Sequence, residues 1–160
     1  MNPIQVNFTV NGHSVSHKTT PTRTLLNVLR EDLHLMGVKD ACGGEGECGA
    51  CTVLINDVPV NSCLVMIGQM DGCMIETIEG LSANGEPHSI QSAFVEAGAV
   101  QCGYCTPGAV MATKALLARN PNPDDEEIQD ALAGNLCRCT GYTKMIAAVH
   151  LAAQELGNGS

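Results

Sequence analysis

Eight of the nine cysteines in this 160-residue chain fall into two sets of four, and a chain that must gather four thiols twice has few folds open to it. The first set is Cys42, Cys48, Cys51 and Cys63, spaced C-x5-C-x2-C-x11-C, with Gly43, Gly44, Gly46 and Gly49 between its first three members. A loop that wraps an inorganic group must turn sharply and let backbone N–H groups approach the sulfurs, and glycine permits both. The second set is Cys102, Cys105, Cys137 and Cys139, spaced C-x2-C-x31-C-x-C. Each of its two pairs precedes an Ala-rich helical pattern, a weak internal repeat. The positive end of a helix dipole and its free N–H groups favour thiolate there. Two such helix pairs packed face to face would bring the four thiols to one end.

The plant-type [2Fe–2S] spacing is C-x4-C-x2-C with a distant fourth cysteine, and the first set has one residue more in its first interval. By spacing alone, four thiolates also make a structural zinc site, so a double zinc module stays open. A Rieske centre needs histidine ligands. None of His13, His17, His34, His88 and His150 lies beside a cysteine. Cys73 belongs to neither set and reads as a small buried apolar residue.

An odd cysteine count argues against a complete set of disulfides. The N-terminus, Met1-Asn2-Pro3-Ile4-Gln5, has no basic export signal, so the chain is expected in the cytoplasm, where clustered thiols bind metal or do redox work. Eight Lys and Arg stand against 17 Asp and Glu, a formal charge of −9, which disfavours a nucleic-acid partner. No apolar run is long enough for a membrane span. There is no Trp and only two Phe and two Tyr, so the core must come from Ala, Val, Leu, Ile and Met or be held by other means. Met66, Met70, Met74, Met111 and Met145 read as core filler. No Ser-His-Asp pattern, phosphate loop or dinucleotide fingerprint is present, so no catalytic residue is expected in this chain.

The pattern along the chain changes near residue 80. Ile4, Val6, Phe8 and Val10 alternate as a strand, Asn11-Gly12 marks a hairpin turn, and Val15 lies on the return strand. Leu25, Leu26, Leu29 and Leu33 predict a helix over 24–33. Val53-Leu54-Ile55, the turn Asn56-Asp57, Val58 with Val60, and Ile75 to Ile78 read as further strands. Beyond residue 80 come four helices: Ile90 to Ala97; one to Arg119, with Thr106 as N-cap and Pro107 at its first position; one from an Asp124/Glu127 capping box to Ala133; and Tyr142 to Leu156. The fold class is therefore α+β, a small mixed-sheet unit followed by a helical bundle.

Cys48-Gly49-Ala50-Cys51-Thr52-Val53, Gln101-Cys102-Gly103-Tyr104-Cys105-Thr106-Pro107-Gly108 and Gly134-Asn135-Leu136-Cys137-Arg138-Cys139-Thr140-Gly141-Tyr142 closely resemble the iron–sulfur subunit of the xanthine dehydrogenase family of molybdenum hydroxylases. The resemblance runs from about Ile4 to Leu156. It implies a plant-ferredoxin-like β-grasp domain, 1–79, with one [2Fe–2S] cluster on Cys42, Cys48, Cys51 and Cys63. It implies a four-helix domain, 80–160, with a second [2Fe–2S] cluster on Cys102, Cys105, Cys137 and Cys139. Gln101 and Cys139 match family positions that approach the pterin of the molybdenum cofactor. The chain departs from the family in the Gly43-Gly44-Glu45-Gly46-Glu47 loop, which is one residue longer than usual.

The same resemblance implies a large molybdopterin-binding subunit, a medium FAD-binding subunit, and a heterotrimer or a dimer of heterotrimers. The implied role is electron transfer from the molybdenum–pterin centre through the helical-domain cluster and the β-grasp cluster to FAD. Hydroxylation of a purine or a related N-heterocycle such as nicotinate is the favoured reaction. Carbon monoxide, aldehydes and aromatic acyl thioesters are the alternatives.

Overall fold

The computed structural model describes residues 2–158. A five-stranded mixed sheet fills the first half, in the order β2-β1-β5-β3-β4. β1 (Ile4–Val10) and β2 (His13–Thr19) form an antiparallel hairpin, closed by Asn11 and Gly12 at φ 50° and 80°. These positive angles match the twist of the flanking strands, and Asn and Gly are the residues that adopt them most easily. β3 (Thr52–Ile55) and β4 (Val58–Asn61) repeat the device through Asn56 and Asp57 at φ 48° and 66°. β5 (Met74–Glu76) lies between the hairpins, parallel to β1 and antiparallel to β3.

β5 is shorter than the expected Ile75 to Ile78. Thr77 leaves the ladder because its N–H donates to Asn11 Oδ1 at 2.9 Å, and Ile78 then opens a 3-10 turn. The short helix α1 (Leu25–Asn27) continues as a π-helical turn over Val28–Asp32, so the expected helix is present in two geometries. Leu25, Leu29, Val6, Phe8, Val53, Ile67 and Ile75 form the core under the sheet.

The second half is helical: α2 (Ser89–Glu96), α3 (Thr106–Arg119), α4 (Asp125–Leu132) and α5 (Thr143–Asn158). The cap of α4 is reciprocal, with Glu127 N–H donating to Asp124 Oδ1 and Asp124 N–H to Glu127 Oε2, both at 2.9 Å. At α3 the expectation is off by one residue. Thr106 is already helical, because the Cys105 carbonyl accepts the first helical bond from Ala109 N–H. α3 is buried nearly all round, which suits a helix between other helices and a sheet. Ile90, Phe94, Val110, Met111, Ile128, Met145 and Val149 form its core.

β3 serves both cores. Val53 packs into the first and Leu54 into the second, since successive side chains of a strand face opposite ways. Lys114 of α3 pairs with Glu76 of β5 across the same boundary. The methionine expectation holds for Met70, Met111 and Met145 and fails for Met66 and Met74, which are exposed. Met66 lies between two 3-10 turns, and Met74 is on the outer side of β5. Among the described residues no helix is long and apolar enough to cross a membrane.

Candidate metal centres

Asp40 shapes the first loop. Its Oδ1 accepts from the N–H groups of Gly43 and Gly44 at 2.9 and 3.1 Å. The glycines at 43, 44 and 46 all take positive φ. Consecutive amides then turn inward. The amides of Glu47, Cys48 and Glu45 favour thiolate at Cys42, and that of Gly46 does so at Cys63. Asn61 Nδ2 holds the loop from outside, donating to the Gly46 carbonyl at 2.8 Å.

The Glu47 amide, with the Cys48 thiol next, pulls the Cys42 thiol down to about 7 against a small desolvation. Cys63 is pushed up to about 12, first by burial and then by the Cys51 thiol beside it. Cys48, Cys51 and Cys63 are buried.

The second set lies where α3 begins and in the turn before α5. The sulfurs of Cys102 and Cys139 are 3.7 Å apart, and the Cys102 thiol is the main cause that raises Cys139. Burial, then the Cys137 thiol, pushes Cys105 up to about 12. Burial also pushes Cys137 up, but the Thr140 hydroxyl, the Thr140 N–H and the Cys139 N–H outweigh it and bring Cys137 to about 7. Gln101 Nε2 donates to the Cys139 carbonyl at 3.0 Å. Cys102 and Cys139 are exposed, whereas Cys105 and Cys137 are half-buried. Cys73 stands apart, packed on the first core with its thiol 3.8 Å from the Gln69 carbonyl.

The sulfurs of Cys102 and Cys139 approach to 3.7 Å, and the thiol that most shifts each of Cys42, Cys63 and Cys105 is Cys48, Cys51 and Cys137 in turn, so each set divides into two pairs. Among the described residues, no three Cys, His, Asp or Glu side chains converge on one ion position. A mononuclear zinc site needs four donors around one point. Two pairs of thiols suit a two-iron cluster, with two thiolates on each iron. Burial first, and a neighbouring thiol second, make Cys63 and Cys105 resist ionisation, and a cationic inorganic core would offset both. The Thr106 hydroxyl, next in sequence to Cys105, is buried with no hydrogen-bond partner among the described residues.

The two loops are joined directly. Leu136 N–H donates to the Cys48 carbonyl at 2.9 Å. The Asn135 side chain, 5% exposed, donates to the Gly49 carbonyl at 2.9 Å and to Thr52 Oγ1 at 3.2 Å. Gly49 takes φ 67°, and a Cβ there would overlap the Gly134 carbonyl. A Cβ on Gly108 would overlap the Gly49 carbonyl. Sequence reasoning did not single out Asn135. Its only signal in the sequence is an amide between Gly134 and the Leu136-Cys137 loop, just after the acidic helix α4.

Two family descriptions match the chain: "2Fe-2S iron-sulfur cluster binding domain" over residues 8–72 and "[2Fe-2S] binding domain" over residues 77–150. The chain is 52% identical to the nicotinate dehydrogenase small FeS subunit of Eubacterium barkeri, over 99% of this chain and all of that one. It is 45% identical to a probable xanthine dehydrogenase subunit of Bacillus subtilis (strain 168), over 97% of this chain and 88% of that one. Among solved structures, it superposes on a chain of quinoline 2-oxidoreductase from Pseudomonas putida 86 with a TM-score of 0.93. The two are 38% identical, and the superposition covers 99% of each chain.

Proposed function

The chain belongs to the [2Fe–2S] iron–sulfur subunits of the xanthine dehydrogenase family of molybdenum hydroxylases, and on that premise we propose how its residues divide the work. Residues 1–79 form a β-grasp domain that holds one cluster on Cys42, Cys48, Cys51 and Cys63. Residues 80–160 form a four-helix domain that holds the other on Cys102, Cys105, Cys137 and Cys139. The observation that carries this assignment is the 3.7 Å approach of the Cys102 and Cys139 sulfurs, together with the thiols that shift Cys42, Cys63 and Cys105, all of which come from the same set.

When bound, each cluster accepts and passes one electron at a time. The chain's own residues supply everything around that chemistry. The amides of the loop after Asp40 favour thiolate at Cys42, and burial of Cys48, Cys51 and Cys63 keeps water from their sulfurs. Such donors and such burial are the levers that set a cluster's potential. The Leu136–Cys48 hydrogen bond fixes the spacing of the two loops.

The partners in this reading are a large molybdopterin-binding subunit and a medium FAD-binding subunit, in a heterotrimer or a dimer of heterotrimers in the cytoplasm. The exposed end with Gln101, Cys102 and Cys139 faces the molybdenum–pterin cofactor, and Gln101 and Cys139 approach the pterin. Electrons pass from there to the helical-domain cluster, then to the β-grasp cluster and to FAD. The three relatives are named for nicotinate, xanthine and quinoline, all nitrogen heterocycles, which supports an N-heteroaromatic substrate of the nicotinate kind for the whole enzyme.

Anaerobic purification of the complex tests this. About four iron and four sulfide per chain, two distinct EPR signals, and a co-purifying molybdopterin subunit are expected. Nicotinate should reduce the clusters. Two zinc ions in place of iron would overturn the cluster assignment. Reduction by an aldehyde or carbon monoxide, but not by an N-heterocycle, would overturn the substrate reading.

A further inference from the structure

Resting on that cluster assignment, we propose that the Thr140 hydroxyl raises the reduction potential of the cluster on the second cysteine set by donating a hydrogen bond to the Cys137 sulfur. Three hydrogen bonds knit the turn that joins Cys137 to α5. Cys137 N–H donates to Tyr142 Oη at 2.9 Å, Tyr142 N–H donates to Thr140 Oγ1 at 3.3 Å, and Thr140 Oγ1 lies 3.2 Å from Cys137 Sγ. The Tyr142 amide occupies an acceptor position on the Thr140 oxygen, which leaves the O–H free to point at sulfur. An iron-bound cysteine sulfur is deprotonated and only accepts, so the direction of this bond is settled by chemistry. The Tyr142 N–H and the Thr140 O–H donate in series toward the sulfur, and two bonds in series polarise each other.

Thr140 N–H also lies 3.5 Å from the same sulfur. In the first set, no hydroxyl bears on Cys42 or Cys63 among the described residues. The difference is chemical as well as geometric, because a side-chain donor can be removed by substitution and a backbone one cannot. Uptake of one electron adds negative charge to the cluster and its sulfurs and makes or breaks no bond. A donor on Cys137 therefore stabilises the reduced form more than the oxidised form. Thr140 acts through Cys137 and is a positioning residue for charge.

The test is an EPR-monitored reductive titration of the purified holoenzyme carrying Thr140→Val, with Cys105→Ser used beforehand to assign the two signals. At the wild-type midpoint, the reduced-to-oxidised ratio of the second-set cluster should fall about tenfold, which is about 59 mV for a one-electron couple. The first-set cluster should not move. Thr140→Ser, which keeps the hydroxyl, should stay within about threefold of wild type, and Thr140→Ala should follow Thr140→Val. An unchanged ratio in Thr140→Val, or an equal shift of both clusters, overturns the proposal. Loss of the second cluster from the Val and Ala variants would make Thr140 a residue that holds the cluster, and would overturn it as well. Failure of the cluster assignment itself is distinguishable, because wild-type protein would then lack two [2Fe–2S] signals before any variant is made.

Discussion

Tyr104 donates a 2.5 Å hydrogen bond to the backbone carbonyl of Asp40, 64 positions earlier in the chain. Tyr104 lies between Cys102 and Cys105, and Asp40 lies just before Cys42. The side chain of Asp40 shapes one cysteine loop while its carbonyl receives the other. Tyr104→Phe should leave both clusters bound and cost about 0.5–1.5 kcal/mol, the net worth of one hydrogen bond. Thermal unfolding of the two proteins side by side measures it. Loss of iron from the variant would show that the bond holds a cluster and is more than a tie between loops.

Gly108 and Gly134 offer a matched pair. Alanine at Gly108 drives a methyl into the Gly49 carbonyl, whereas a Cβ at Gly134 meets nothing within 4 Å. Gly108→Ala should destabilise by about 1–3 kcal/mol or more, the usual range for overpacking. Gly134→Ala should be tolerated. Denaturant midpoints decide between them, and equal effects would refute the tight approach of α3 to the first loop.

His88 makes stability depend on pH. Its Nδ1 accepts from Ile90 N–H at 3.2 Å, so the ring caps α2 only when neutral, while its backbone N–H donates to Gln91 Oε1 at 2.8 Å. Burial lowers its pKa below 6.5, nearby Lys114 adds to the effect, and Glu76 opposes it. A histidine held low stabilises the fold fully above 6.5, and that share is lost as pH falls through the depressed value. His88→Asn keeps a cap that does not titrate. Between about pH 7 and pH 5, wild type should lose more stability than His88→Asn, by roughly 0.5–2 kcal/mol. Parallel slopes in unfolding experiments at the two pH values would refute the capping role.

Cys105→Ser should remove one EPR-distinct [2Fe–2S] signal, lower iron from about four to about two per chain, and leave the other signal intact. Cys73→Ser should leave both signals and the iron count unchanged. Loss of a cluster on changing Cys73 would show that the first set is wrongly assigned.

What the sequence reveals about this fold is what is local. Asn11-Gly12 and Asn56-Asp57 announce their turns because the residues in the turn determine its geometry. The Asp124/Glu127 box works the same way, through two bonds within one turn. The spacing of Cys42, Cys48 and Cys51 is legible for the same reason, since a short glycine-rich loop keeps them close, whereas the approach of Cys102 to Cys139 spans 37 residues and depends on the packing of the helices. Long-range consequences were hidden. The end of β5 is set by Asn11, which is 66 residues from Thr77. The tie between Asn135 and Gly49 spans 86 residues and leaves no periodic trace. Met66 and Met74 depart from the core-filler expectation because residue type alone does not tell which side of a 3-10 turn or a short strand faces the core.

Leu54 and Val53 face opposite cores, so the polypeptide has no clean place to be cut. A fragment ending at residue 79 would carry Leu54 and Ile78 on a bare apolar face, and its counterpart would lose the strand that covers α3. Grafting either half alone onto a foreign scaffold would expose a sticky seam. The two redox modules of this chain travel as one piece.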